Sequence, residues 1–432
     1  MTSTLLPIAA PARLNAPTIH RLPTGVTVIA EQLPVDAINL NLWLQVGSAV
    51  ESDAINGMAH FLEHMIFKGT PTLRSGEFEA RIEARGALTN AATSQDYTHY
   101  YITTAPQDFV DLASLQLDVL LNPTIPSDGF ERERQVVLEE IRRAQDNPRR
   151  RSYQHLVELG FERLPYYRPV LGSAAVIEAL QPEQMRTFHR QWYQPEAMTA
   201  VAVGNLPVEQ LIEIVETGFQ TVGDGGWGRG DRVPPPVQTA EATFTQVIQR
   251  EHVDPTLQQA RLMLIWRVPG MIEAAQTYAL DILASILGHG RTARLVQDLR
   301  EQRGLVNAIT ARNMTYRHQG LFCISASLAL DHLEAAQTAI VEHVQQLHQE
   351  MVAAAELEKI CTQVANHFVF GNETPSDRAN LYGYYYTLMG DIEPALAYPE
   401  QVRALTPQAL QTAAQQYLST DAYGVVILKP TA

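Results

Sequence analysis

The residues best suited to chemistry lie within one short run, His60-Phe61-Leu62-Glu63-His64. On a helix, positions i, i+3 and i+4 share one face, so His60, Glu63 and His64 project together. Two imidazoles one turn apart can each give a nitrogen to a tetrahedral zinc ion at about 2.0–2.1 Å. Glu63 is then placed to take the proton of a water that attacks a carbonyl beside that ion. A third ligand is needed, and residues 131–146 offer Glu133, Glu139 and Glu140. Glu133 and Glu140 are two turns apart on one helix face, whereas Glu139 points about 100° away. Val136, Val137 and Ile141 mark the buried side of that helix, near Glu133 and Glu140, and Arg132, Arg134, Arg142 and Arg143 are expected on its solvated face.

The element that carries the histidines must be buried, because Met58, Ala59, Phe61, Leu62, Met65, Ile66 and Phe67 surround them. Three titratable groups in such a helix are costly unless they are paired or ligated. Further helices are expected at 75–85, 105–121, 131–146, 182–193 and 207–218, and then at 271–287, 292–302, 329–351, 353–372 and 407–418. Alternation at Leu40, Leu42, Leu44 and Val46, and again at Leu262, Leu264, Trp266 and Val268, predicts strands that form hairpins with the runs before them, 26–31 and 244–250.

The chain reads as one unit written twice. Glu83-Ala84-Arg85-Gly86 followed by Asn90-Ala91-Ala92-Thr93 recurs as Glu301-Gln302-Arg303-Gly304 followed by Asn307-Ala308-Ile309-Thr310. Between the halves lies a segment rich in glycine that ends in Pro234, Pro235 and Pro236 and cannot continue a helix or a central strand. The expected fold class is α+β. Two homologous domains, 1–221 and 238–432, each carry a mainly antiparallel sheet flanked by helices and are joined by a linker over 222–237. At the offset set by Arg85 and Arg303, His60 to His64 align with Tyr278-Ala279-Leu280-Asp281-Ile282, so the second domain is not expected to bind this metal.

Composition excludes other classes. The 432 residues carry a formal charge of −15, which repels a nucleic-acid backbone. Cys323 and Cys361 are too few and too far apart for a disulfide framework or a thiolate zinc site, and read as buried small hydrophobes. No stretch approaches the ~20 apolar residues of a membrane span. Met1 to Asn15, interrupted by Pro7 and Pro11, does not support a signal peptide, so a cytoplasmic or other soluble compartment is expected. Gly288-His289-Gly290 lacks the rest of a phosphate loop, and the tyrosines at 382 and 384–386 read as packing or chamber lining.

The runs GMAHFLEHMIFKGT, TNAATSQDYTHYY, ERERQVVLEEI and LREQRG make most of the chain resemble the pitrilysin/insulinase family of inverted zinc peptidases. The resemblance is strongest to its half-size branch, which includes processing peptidases. It implies a zinc-dependent endopeptidase acting on peptides or unfolded segments, with Zn2+ on His60, His64 and Glu140. It also implies Glu63 as general base and Glu133 as the group that orients a ligand. Asn90 and Ala91 would lie on a sheet edge to which a peptide adds as a strand, and Arg300 would help bind substrate. A tyrosine expected seven residues after that arginine is replaced by Asn307. Either the chain is the zinc-bearing subunit of a heterodimer whose partner supplies the Arg/Tyr pair, which is the favoured reading, or Arg300 acts in a homodimer with Asn307 or Tyr316. The second domain is expected to form another wall of the substrate chamber. A non-catalytic or structural subunit of a processing-peptidase-like complex is the alternative, and the intact His60, Glu63, His64 and Glu140 weigh against it. The acidic surplus suggests a chamber that favours basic peptides.

Overall fold

A computed structural model describes residues 17–223 and 238–431. The expected linker therefore lies outside the described residues, apart from Val222 and Gly223, which end a helix. The segment Met1 to Asn15 also lies outside them.

Two sheets organise the chain. The first contains β1 (Thr18–Arg21), β2 (Thr27–Gln32), β3 (Ile38–Leu44), β4 (Leu88–Thr93), β5 (Thr98–Thr104) and β6 (Met198–Gly204), in the spatial order β1-β2-β6-β3-β5-β4. The second contains β7 (Ile248–Val253), β8 (Ala260–Pro269), β9 (Ala308–Thr315), β10 (Gln319–Leu328) and β11 (Gly424–Lys429), in the order β7-β11-β8-β10-β9. Apart from β1, the two orders correspond strand for strand. All pairings are antiparallel except β2 with β6 and β7 with β11.

The hairpins expected between β2 and β3, and between β7 and β8, do not form. The last strand of each half is inserted between them. Burial explains why: β3 and β6 are buried at every residue, so both belong at the centre of a sheet with a partner on each edge.

The first half supplies α1 (Met58–Ile66), α2 (Glu77–Glu83), α3 (Phe109–Leu121), α4 (Ser127–Asp146), α5 (Pro148–Gly160), α6 (Ala174–Ala179), α7 (Pro182–Trp192) and α8 (Val208–Gly223). The second supplies α9 (Ala274–Gly288), α10 (Leu333–Gln349), α11 (Ala354–Phe370), α12 (Pro375–Met389), α13 (Glu393–Arg403) and α14 (Pro407–Tyr417). None of the described helices is long and apolar enough to cross a membrane.

Each sheet buries one face under helices of its own half. The opposite face is covered by a helix from the other half. Leu156, Val157 and Leu159 of α5 pack with Met263, Ile265, Leu321 and Val426 of the second sheet. Ala379 and Tyr382 of α12 pack with Ile29, Trp43, Val201 and Val203 of the first. At this second contact the backbone of Gly383 lies so close to Trp43 that an added Cβ would sit 2.0 Å from Nε1. Polar ties accompany the exchange: Asn41 Nδ2 donates to Asn380 Oδ1 at 2.8 Å, and Tyr382 Oη donates to Glu31 Oε2 at 2.8 Å.

Candidate metal centre

Helix α1 is fixed at its N-terminus by Glu51. This carboxylate accepts the backbone N–H groups of Gly57 at 2.8 Å and Ala59 at 2.7 Å, and the side-chain amide of Asn56 at 2.8 Å. Burial pushes Glu51 up to about 7 against the pull of these donors. Gly57 turns into the helix at φ 98°, where its own Cβ would stand 2.6 Å from the Leu171 carbonyl oxygen, so only glycine suits this position.

From this anchored helix His60, Glu63 and His64 face α4 and β4. The Nε2 atoms of both rings converge on one oxygen of Glu140, His60 at 3.4 Å and His64 at 3.7 Å. These three side chains form the only group of three or more potential metal ligands among the described residues, with ligand atoms all within 4.8 Å of one another. Ligands ~2.1 Å from a tetrahedral centre lie ~3.4 Å from each other, so the cluster fits zinc.

Glu133 does not join the three. Its Oε1 meets His64 Nδ1 at 2.9 Å, and its Oε2 pairs with Lys68 Nζ at 2.8 Å. A carboxylate on Nδ1 fixes the imidazole so that Nε2 faces the centre. Burial disfavours a protonated His64, but Glu133, Glu140 and Glu63 outweigh it and raise the ring's pKa. For Glu133 burial pulls the other way from its partners, and His64 and Lys68 hold its carboxyl below the usual range. Glu140 is also lowered, chiefly by its hydrogen bond with His60. Its side chain is 41% exposed, so the cluster opens to solvent.

Glu63 Oε2 accepts the hydroxyl of Thr93 at 2.5 Å. Thr93 ends β4, which lies at the edge of its sheet and pairs only with β5. Asn90 and Ala91 sit on this strand, whose first residue, Leu88, is 68% exposed. Lys68 and Thr93 were given no role from the sequence, because each acts through a partner that only the tertiary arrangement brings near; Glu51 was missed although its partners Asn56, Gly57 and Ala59 follow it closely.

Other expected positions differ. Arg134 is not on a solvated face: it donates to the Leu180 carbonyl at 2.6 Å and its guanidinium lies 5.1 Å from the centre of the Phe130 ring, covered by α6. Val136 is 46% exposed, because the buried stripe of α4 is narrow and runs through Phe130, Val137 and Ile141. Glu139 pairs outward with Arg142 and Arg143. Arg300 lies on a π-helical stretch, Val296–Gln302, and engages its neighbour Glu301 at 2.6 Å rather than the cluster. Asn307 is exposed just before β9. Tyr316 stacks on Tyr166 at 4.6 Å and shares a hydrogen bond with Tyr153. Cys323 and Cys361 are free and buried, and burial pushes Cys323 up to about 12.

The sequence pattern described as Insulinase (Peptidase family M16) matches residues 26–174, and that described as Peptidase M16 inactive domain matches 179–364. An uncharacterized zinc protease of Mycobacterium bovis is 30% identical over 427 residues, 98% of this chain and 95% of its own. The chain belongs to peptidase family M16. Another relative, the uncharacterized zinc protease YmxG of Bacillus subtilis, is 25% identical over 94% of this chain and 97% of its own. A protease from Helicobacter pylori has a similar fold, with TM-score 0.89 and 26% identity over 96% of this chain and 99% of that one. The His/Glu cluster falls within the match at 26–174, while the pattern described as inactive begins after it.

Proposed function

We propose that this M16 chain is a zinc endopeptidase in which His60, His64 and Glu140 hold the metal. The observation that carries this reading is the convergence of both Nε2 atoms on Glu140 at 3.4 and 3.7 Å, with Glu63 on the same helix face. When bound, zinc supplies a Lewis acid that acidifies water and polarises a peptide carbonyl. Glu63 accepts the proton of the attacking water on its carboxylate and returns it to the departing amine. Glu133, braced by Lys68, keeps the His64 ring turned toward the site.

Thr93 links the base to the edge strand. An extended peptide added along β4 beside Asn90 and Ala91 would lie next to Glu63, and such backbone pairing selects extended shape over sequence. Substrates are therefore peptides or unfolded segments. The second domain would form one wall of an enclosing chamber, and a dimer partner would complete it. With Arg300 held by Glu301 and Asn307 lacking a phenol, the favoured partner is a homologous subunit bearing the Arg/Tyr pair. The two domains are read as copies of one unit, supported by the corresponding strand orders.

Glu63→Gln is expected to keep zinc, measured by atomic absorption, and to lower peptide hydrolysis by ~10²- to ~10⁴-fold. Undiminished turnover in that variant would remove Glu63 from the base role. Hydrolysis by the wild-type chain alone favours the homodimer, and hydrolysis that appears only with an Arg/Tyr-bearing subunit favours the heterodimer.

A further inference from the structure

The second half holds a cavity of about 440 Å³ in the place that corresponds to the metal centre. It lies beside α9, β9 and α11, as the His/Glu cluster lies beside α1, β4 and α4. At the position that aligns with Glu63 stands Asp281, one of the lining residues. Its two oxygens accept hydrogen bonds from Asn313 Nδ2 at 2.8 Å and from Tyr398 Oη at 3.0 Å. The walls are aromatic. Tyr398 packs edge-to-face on Tyr278 at 5.4 Å and lies 4.7 Å from Phe368, and Tyr385 of α12 adds another ring.

One buried acceptor among the lining residues of this cavity lacks a donor. Asn313 Nδ2 donates to Asp281 at 2.8 Å and to the Thr277 carbonyl at 3.5 Å, and its Oδ1 is buried with no hydrogen-bond partner. Burial lifts the Asp281 carboxyl to about 6 even with both donors in place. Arg312, the cation among the lining residues, is adjacent to Asn313 on β9, so its side chain leaves the sheet on the opposite face. A carboxylate, a free acceptor and several ring faces around one space suit a positively charged donor.

We propose that this cavity is an anchoring site for the side-chain ammonium or guanidinium of a basic residue in the substrate. The proposal rests on the peptidase reading for the identity of the ligand, and on the cavity alone for its charge. It divides the labour between the domains: the first cuts, and the second holds a lysine or arginine elsewhere in the same peptide.

Two measurements test it. In the first, the zinc-loaded Glu63→Gln protein binds N-acetylated, C-amidated peptides that differ only by lysine, arginine or norleucine at one position, followed by fluorescence anisotropy. The lysine and arginine peptides are expected to bind about tenfold tighter than the norleucine peptide, with the gap closing in Glu63→Gln/Asp281→Asn. In the second, n-butylammonium and n-butanol are titrated into the wild-type chain and followed by tyrosine fluorescence. Only the ammonium is expected to bind, and Asp281→Asn or Tyr385→Leu is expected to weaken it; Tyr385→Leu leaves the carboxylate and its hydrogen bonds in place, and covers the case in which Asp281→Asn fails to fold. Equal binding of lysine and norleucine peptides, or butylammonium binding that is absent or indifferent to both substitutions, overturns the anchoring site. Failure of the wild-type chain to cut any peptide, alone or with an Arg/Tyr-bearing subunit, with butylammonium binding intact, overturns the peptidase reading and leaves the cation site standing.

Discussion

Helices α1 and α9 occupy corresponding places in their halves, yet one carries a metal-ready cluster and the other does not. Each follows a buried central strand and packs against the edge-side strand, β4 or β9, and against a long helix, α4 or α11. Each presents a carboxylate held by a side chain from that strand, Glu63 by Thr93 and Asp281 by Asn313. The difference lies in the residues around it: His60 and His64 against Tyr278 and Ile282, and Glu140 on α4 where α11 presents Val364 and Phe368. The shared scaffold places a carboxylate in a recess. Imidazoles and a second carboxylate make that recess a cluster able to hold a metal, and aromatic rings make it a pocket.

The comparison can be broken most severely at His64. His64→Ala leaves α1 with one imidazole, and both zinc content and hydrolysis are expected to fall to background. Full zinc occupancy in that variant would show that the three ligands are wrongly assigned. A smaller effect is expected from Glu133→Gln, because an amide still bonds to Nδ1 but no longer carries the charge that steadies the ring. Zinc affinity should fall by ~10- to ~100-fold, read by competition with a chelator. An unchanged affinity would place Glu133 with Lys68 as a surface ion pair only.

The smallest expected effect sharpens the other side of the comparison. Burial lifts Asp281 to about 6, above its ordinary value of 3.8, so between these values the folded chain binds more protons than the unfolded chain. This group therefore adds stability as pH falls through 6 toward 3.8 and withdraws it as pH rises through 6. Glu51 and Asp96 shift in the same direction, so the comparison must be between Asp281→Asn and wild type. Urea midpoints across this range should show a shallower slope in the variant. Identical slopes would mean that Asp281 is hydrated well enough to ionise freely.

The clustering of His60, His64 and Glu140 was legible because these residues break a local pattern. Two histidines and a glutamate on one face of an apolar helix are costly to bury unpaired, and α4 repeats the oddity with Glu133 and Glu140. The central strands were legible from their apolar runs, but their neighbours were not, since β6 and β11 reach the middle of their sheets from far along the chain. The exchanged helix α12 escaped notice for a different reason. It buries Pro375, Ala379, Tyr382, Gly383, Thr387 and Leu388, a face that mixes small, polar and apolar groups and so gives no clear apolar stripe to read. Its fit depends on the shape of Trp43 and on Asn41, which the local sequence of α12 does not contain.

That exchange bears on how the protein is made. Synthesis completes β6, and with it every strand of the first sheet, long before α12 leaves the ribosome. Until then Ile29, Val201 and Val203 have no helix over them and Trp43 has only Tyr97 and His99 beside it, while α5 waits for a sheet that is not yet translated. The nascent first half is thus a layered structure with one apolar surface open, and the last stretch of the chain closes it.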